Sequence, residues 1–249
     1  MGDALVLCYH AISEDWPAAL STTPTRLEAQ LEHLRERGYR GVTFSELVAG
    51  GEEKLMAVTF DDAYRSVGRL AKPILDQFGF PGTVFAVSDL VGWTGPVAWH
   101  GMSHWLESPH EHELIPHSWE ELRVLAEDGW EVGSHTRSHP RLTTLDDERL
   151  DAELQGSKRR CEDALDRPCL SVAYPYGDWD GRVARAAERA GYRAGAILAL
   201  QPARPLEWPR VGVYHDDEGW RFHLKVSPTL RRLRSSSAAS ALERRLRPP

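Results

Sequence analysis

The sequence predicts an α/β protein in which a parallel sheet is covered by helices. Short apolar runs alternate with helical patterns almost from end to end. Those runs are nearly continuous in apolar residues, as strands buried on both faces are, and do not alternate with polar ones. The length, 249 residues, also accommodates a single α/β barrel. Closed in that way, the sheet would present its chemistry on the loops at the C-terminal ends of its strands.

The elements follow in order. ALVLCY at 4–9 reads as a buried strand, and Thr25 to Arg37 as a helix with Leu27, Leu31 and Leu34 on one face and Gly38 closing it. VTF at 42–44 and LMAVTF at 55–60 are strand candidates. Arg65 to Phe78 reads as a helix that Pro73 must bend or restart. TVFAV at 83–87 is a strand, Trp119 to Glu127 a helix and WEVGS at 130–134 a strand. A long charged helix from Asp146 to Leu165 precedes the strand SVAY at 171–174. A helix at 181–190 and strands YRAGAIL (192–198) and PRVGV (209–213) complete the alternation.

Two stretches break the rhythm. Residues 89–118 form a long loop with five histidines (His100, His104, His110, His112, His117), the length of a lid or a binding loop. The histidines read as solvent or substrate contacts, although the spacing of His110 and His112 suits a strand. From Thr229 on, six arginines face one glutamate in a low-complexity segment that reads as disordered or as a loosely docked helix, with contact to an anionic surface as the alternative. The expected organisation is therefore one domain over 1–228, carrying a lid at 89–118, and a basic tail over 229–249.

A net charge of −7 argues against a nucleic-acid partner. The opening MGDALVLCYH has no positive n-region and too short an apolar run for a signal peptide or a spanning helix. Cys8, Cys161 and Cys169 are too few and too scattered for a disulfide framework or a C-x-x-C knuckle. These features predict a reduced, cytoplasmic chain.

Three motifs carry the chemistry. In AVTFDDAYRS (57–66), Asp61 and Asp62 stand side by side at the end of a predicted strand. Such a pair suits a turn or a helix N-cap, and equally a cation held between carboxylates. In GSHTRSHP (133–140), His135 and His139 are four apart, a spacing that on a helical turn puts both imidazoles on one face. Two solvated loop histidines would read the same. Taken together, two imidazoles and one carboxylate at two strand ends make a set that leaves metal positions open for water, as a hydrolytic site requires. If Asp62 ligates, Asp61 is left beside the ion, held ionised by it and able to take a proton from water. In SVAYPYGDWD (171–180), Pro175 and Gly177 fix a tight turn in which the Tyr176 amide can face a developing oxyanion, or which merely joins strand to helix.

TFDD, SHTRSHP and YPYG, in this order and spacing, resemble the polysaccharide deacetylase family (the NodB-homology, carbohydrate esterase family 4 group), in its YPYG-type subgroup. The likeness extends to Tyr9-His10, LEHLRERGYRGVTFSEL, SWEELRVLAEDGWEVGSHT and RAGYRAGA, and covers roughly residues 4–225. It implies a distorted (β/α) barrel of about seven parallel strands and a divalent metal held by Asp, His and His. The implied activity is removal of N- or O-acetyl groups from sugars. Carried over, Asp61 is the general base, Asp62, His135 and His139 bind the metal, and the Tyr176 N–H helps to hold the oxyanion. Zinc is the first expectation, with Co²⁺, Ni²⁺ or Mn²⁺ as alternatives.

The chain departs from the family pattern twice. Where members commonly carry an arginine that orients the base, this chain has Ala173, and Arg210 in WPRVGV is the proposed replacement. The late Leu-x-His motif that supplies the general acid is missing in its usual form. His215 and His223 lack the right local sequence, and His10, ending the first strand, is the better candidate. The leading expectation is a metal-dependent deacetylase acting on an N-acetylated amino sugar or glycan. The alternatives are hydrolysis of a small non-sugar amide or ureide, and an inactive glycan-binding protein on the same barrel.

Overall fold

The computed structural model describes residues 3–51, 54–199 and 203–234. The chain starts with β1 (Leu5–Tyr9) and two two-residue strands, β2 (Ala11–Ile12) and β3 (Ser21–Thr22), that pair only with each other. Helix α1 (Pro24–Glu36) is capped by the Thr23 hydroxyl and has proline in its first turn, where no amide proton is needed. Then come β4 (Arg40–Gly41), α2 (Phe44–Ala49), β5 (Leu55–Phe60) and α3 (Lys72–Phe78). The middle of the chain holds β6 (Gly82–Ala86), α4 (Trp119–Glu127), β7 (Glu131–Ser134) and α5 (Asp147–Leu165). Last are β8 (Ser171–Ala173), α6 (Gly181–Arg189), β9 (Ala194–Ile197), β10 (Trp208–Pro209), β11 (Val211–Gly212), α7 (Trp220–Val226) and α8 (Pro228–Arg234).

All strand pairings are parallel, in the order β10-β9-β8-β7-β6-β5-β1-β11, with β4 also pairing with the start of β5. β10 and β11 are one extended stretch interrupted at Arg210: its first half pairs with β9 and its second with β1. This stretch closes the sheet into a nearly complete parallel barrel with helices outside, the (β/α) architecture expected.

Alternation along the strands divides the packing. Leu5, Leu7, Met56, Val58, Val84 and Val132 face outward and pack with Leu27, Leu31, Leu34, Ile74, Leu75, Leu122 and Leu125 of α1, α3 and α4. Val172 does the same beneath α5 and α6. The alternate residues Val6, Ala57, Phe85, Ala173, Ala194 and Ala196 form a separate cluster that fills the barrel. Phe85 fits there because its neighbour is Gly133, where a Cβ would lie 2.6 Å from the ring.

Three segments differ from the sequence expectation. VTF at 42–44 is not a strand: Thr43 and Glu46 form a reciprocal capping box that starts α2 at Phe44. Residues 65–78 do not form one α-helix, since Val67–Ala71 is a π-helical turn leading into α3, where Pro73 takes a first-turn position. Residues 89–118 contain two short 3-10 turns, Ser103–Trp105 and Glu111–Leu114, and His110 and His112 flank or lie within the second rather than on a strand. This insertion is packed: Met102 and Leu114 share an apolar cluster with Ala11, Trp16, Ala18 and Tyr64. Ser13 donates to Glu113 at 2.5 Å across the same seam. Helix α8 covers the first residues of the arginine-rich segment, and 235–249 lie outside the described residues. No helix among the described residues is long and apolar enough to cross a membrane.

Candidate metal centre and catalytic pocket

At the end of β5, the Asp61 amide donates to the Tyr9 carbonyl at 3.0 Å, extending the ladder with β1 by one residue. Asp62 (φ 68) and Ala63 (φ 53) then enter the left-handed region, which sends the two neighbouring carboxylates to different partners. Asp62 meets His135 and His139. The three offer ligand atoms that all lie within 4.8 Å of one another. His135 Nε2 is 3.7 Å and His139 Nε2 3.4 Å from Asp62 Oδ1.

The histidine spacing works differently from the helical turn expected. Residues 135–139 form a loop with left-handed backbone at Thr136 (φ 66) and His139 (φ 63). Glu153 of α5 braces it, accepting from the amides of Arg137 (2.8 Å) and Ser138 (3.0 Å) and from the Ser138 hydroxyl (2.7 Å). Seven non-glycine residues among those described have positive φ, and five of them, Asp62, Ala63, Thr136, His139 and Tyr176, belong to this site. Backbone strain of that kind persists where the surroundings over-determine a functional geometry.

The donors fit a divalent ion. His135 Nδ1 donates to the Ala173 carbonyl at 2.8 Å, which leaves the Nε2 lone pair free. Asp62 Oδ1 is buried and has no hydrogen-bond partner. Burial first, and the Asp61 charge second, push the Asp62 carboxyl up to about 8. Burial and the neighbouring His135 push His139 down to about 2, so both imidazoles are neutral. An unpaired buried acceptor facing two imidazole lone pairs is a costly arrangement without a cation. Two imidazole nitrogens and one carboxylate oxygen suit zinc or a neighbouring transition metal, with further positions not filled by protein.

Asp61 has a separate partner. Arg210 Nη1 and Nη2 donate to its two oxygens at 2.7 and 2.8 Å, with both side chains buried. Nη1 also reaches the Thr59 hydroxyl at 3.0 Å, and the guanidinium lies over the Phe85 ring. Although burial alone would raise it, Asp61 is held well below the usual carboxylate range by Arg210. Like-charge repulsion within the Asp pair is thus offset inside the protein itself. The small side chain at Ala173 leaves the barrel to this arginine from the closing stretch.

His10 directly follows β1 on the same side: Cys8, His10 and Asp61 bring ligand-type atoms within 4.8 Å of one another. Burial lowers His10 to about 4, and its Nδ1 has no partner. Pro175 is buried at the start of a 3-10 turn, and Tyr176 (φ 58) is left-handed within it. The Tyr176 ring meets His139 edge-on at 4.6 Å and carries the Arg141 guanidinium at 4.7 Å on its face. Trp99, from the 89–118 insertion, stacks on His139 at 3.9 Å. Nothing in the local residue pattern singles out Trp99 or Glu153. Among the loop histidines, His117 is not a solvent or substrate contact: it is buried, with Nδ1 2.8 Å from the Ala63 carbonyl and the ring filling the space beside Gly68. His215 and His223 are not in this pocket's contacts, and His223 stacks on His33 of α1 instead.

The polysaccharide deacetylase family model matches residues 49–195, more than half of the chain. The chain belongs to the polysaccharide deacetylase family. The matched region contains Asp61, Asp62, His135, His139, Pro175 and Tyr176, whereas His10 and Arg210 fall outside it. YxkH of Bacillus subtilis (strain 168), which bears the same family's name, is 26% identical over 196 residues, 76% of this chain. The chain spans 62% of the length of YxkH. The fold of this family member is shared with the Streptococcus pyogenes deacetylase PplD (TM-score 0.76, 20% identity, covering 90% of this chain and 98% of that one). It is shared also with IcaB from Ammonifex degensii (TM-score 0.72, 23% identity, covering 91% and 97%).

Proposed function

We propose that this protein is a metal-dependent hydrolase that removes the acetyl group from an N-acetylated amino sugar or glycan. The observation that carries the reading is the division of labour between two adjacent carboxylates. Asp62 faces two imidazole lone pairs, and Asp61 is clamped by Arg210. A divalent cation, zinc first, would be held by Asp62, His135 and His139, where it supplies Lewis acidity towards a carbonyl oxygen and towards water.

The chain's own groups account for the proton movements. Asp61, kept ionised and fixed in orientation by Arg210, accepts a proton from the attacking water. His10 is neutral at pH 7 because burial disfavours its charged form. As general acid it must therefore first take up a proton, and Asp61 beside it is the group that can deliver one. His10 then protonates the departing nitrogen. The left-handed turn at Tyr176 supports an oxyanion-donor role for that amide, with Pro175 fixing its approach. Trp99 and Tyr176 add aromatic faces at the metal cluster that suit a sugar ring.

Acetate release from acetylated chito-oligosaccharides, assayed with added Zn²⁺ or Co²⁺, tests the reading. Asp61→Asn should keep the metal and lose turnover by about 10²–10⁴-fold, as expected for loss of a general base. His135→Ala should lose the metal. An Asp61→Asn protein releasing acetate at the wild-type rate would refute the mechanism. Glycan binding without acetate release would mark a binding protein, and ureide hydrolysis by metal-free protein a different amidohydrolase.

A further inference from the structure

We infer that Cys8, His10 and Asp61 form a second, weaker divalent-metal site beside the cluster of Asp62, His135 and His139, one that fills when metal is in excess and then blocks turnover. Their ligand-type atoms lie within 4.8 Å of one another, the same span as in the first cluster. The fold places them together. Val6 of β1 points into the barrel, so by alternation Cys8 and then His10 point the same way, each one layer nearer the mouth. β5 runs beside β1 with Cys8 opposite Thr59 and Tyr9 opposite Phe60, which brings Asp61 level with His10. The two clusters share no ligand, although Asp61 and Asp62 are adjacent in the chain.

The donor spacing fits an ion. The Cys8 thiol donates to Asp61 Oδ2 across 3.4 Å. A tetrahedral zinc ion, with bonds of about 2.3 Å to sulfur and about 2.0 Å to a carboxylate oxygen, spans about 3.5 Å between two such donors. An ion can therefore take the place of the thiol proton with little movement. His10 adds the third donor, and one of its ring nitrogens, Nδ1, is buried without a hydrogen-bond partner. Arg210 does not use up Asp61. It takes one lone pair from each oxygen, at 2.7 and 2.8 Å, and a carboxylate offers about four acceptor positions. The guanidinium sets the order of affinity instead. It is a fixed cation on the second cluster's carboxylate, whereas Asp62 Oδ1 in the first cluster has no partner, so the first cluster fills first. At the second, the S–H bond gives way to an S–metal bond and the proton leaves to water. The donor chemistry also differs: nitrogen, nitrogen and oxygen in the first cluster, but sulfur, nitrogen and oxygen in the second, which favours softer ions. An ion on Asp61 and His10 would occupy the lone pairs that both need for moving protons. That consequence rests on the roles proposed for Asp61 and His10; the site itself does not.

Cobalt reads the two sites apart, because a thiolate ligand adds a near-ultraviolet charge-transfer band that nitrogen and oxygen ligands do not. The whole protein, stripped with a chelator, is titrated with Co²⁺. The first equivalent should bring visible absorption without this band, and the second should add it. Cys161 and Cys169 belong to no such cluster among the described residues, so the band reports on Cys8. Cys8→Ser, close to the wild type in size, should lose the band and the second equivalent and keep the first. His10→Ala, at the partly exposed mouth, should weaken the second step by about 10–100-fold or more, since even groups behind metal ligands carry that much, and it serves should the serine variant not fold. In parallel, acetate release by the wild type should rise over one equivalent of Zn²⁺ and fall beyond it. In Cys8→Ser the fall should disappear, whatever that variant's peak rate. If the protein releases no acetate, the deacetylase reading fails while the cobalt titration still decides on the site. Binding of a single equivalent with no charge-transfer band would overturn the proposal, as would a band complete at one equivalent or one that survives Cys8→Ser. Two filled sites with undiminished turnover would overturn the block.

Discussion

Replacing Arg210 by methionine removes the guanidinium from Asp61 while keeping most of the side-chain volume. The pair it breaks is buried, joined by two charge-assisted hydrogen bonds of 2.7 and 2.8 Å. Taking one partner from such a pair leaves a desolvated charge and costs about 3–5 kcal/mol. For a chain of this size each kcal/mol lowers the melting temperature by about 2–4 °C, so a fall of roughly 10 °C is expected. The pH dependence has a definite sign. In the wild type the Asp61 pKa is depressed, so its stabilisation is present above the unfolded value of about 3.9 and is lost as pH falls below it. In Arg210→Met the burial that remains raises Asp61, so the variant gains stability relative to the wild type as pH falls and the carboxyl takes a proton. Urea denaturation at several pH values should therefore show a gap that is full near pH 7 and narrows on acidification. Adding Asp61→Asn to Arg210→Met should recover much of the loss, because a neutral amide replaces the stranded carboxylate, giving a coupling of about 2 kcal/mol or more in the double-mutant cycle. Acetate release should fall with the single substitution even at temperatures where the variant is fully folded. A stability change within about 0.5 kcal/mol, the scale of ordinary surface substitutions, would refute the assignment of Arg210 as the partner that holds Asp61.

Three further outcomes follow from the same geometry. Glu153→Ala removes the brace from the loop bearing both histidines and should weaken metal affinity about 10–100-fold in a chelator competition, with Glu153→Gln intermediate; unchanged affinity would make the brace incidental. Because the Asp62 carboxyl of the metal-free protein is raised, metal uptake should release a proton and affinity should fall as pH drops below about 8, which calorimetry in buffers of different ionisation enthalpy reads directly. Gly82→Ala places a Cβ 2.3 Å from the Trp130 ring and should cost about 1–3 kcal/mol in urea denaturation without changing metal content.

The long periodic elements were legible because their signals are local. Leu27, Leu31 and Leu34 mark α1, LMAVTF marks β5, and Asp146 caps α5 where the sequence places it. Thr43 shows the opposite case, a β-branched residue whose hydroxyl, given a glutamate three residues on, starts a helix instead of extending a strand. At the pocket, the motifs delivered Asp61, Asp62, His135, His139, Pro175 and Tyr176 as candidates, since each stands at a strand end. They did not deliver Glu153 or Trp99. A glutamate on the polar face of α5 looks like any solvated residue, and a tryptophan in a long insertion carries no address.

By itself the sequence determined the alternation of strands and helices, the family, and which short stretches bear metal-ligating and acid–base side chains, because these depend on residue type at short spacing. Only the tertiary structure decided that Asp61 belongs to Arg210 and Asp62 to the histidines. The partners are 149 residues apart in one case and come from a different strand-end loop in the other. Which of two adjacent carboxylates turns inward is set by the left-handed backbone at Asp62 and by the closure of the barrel through Trp208–Gly212. Both arise from packing between segments distant along the chain, and local residue pattern does not encode them.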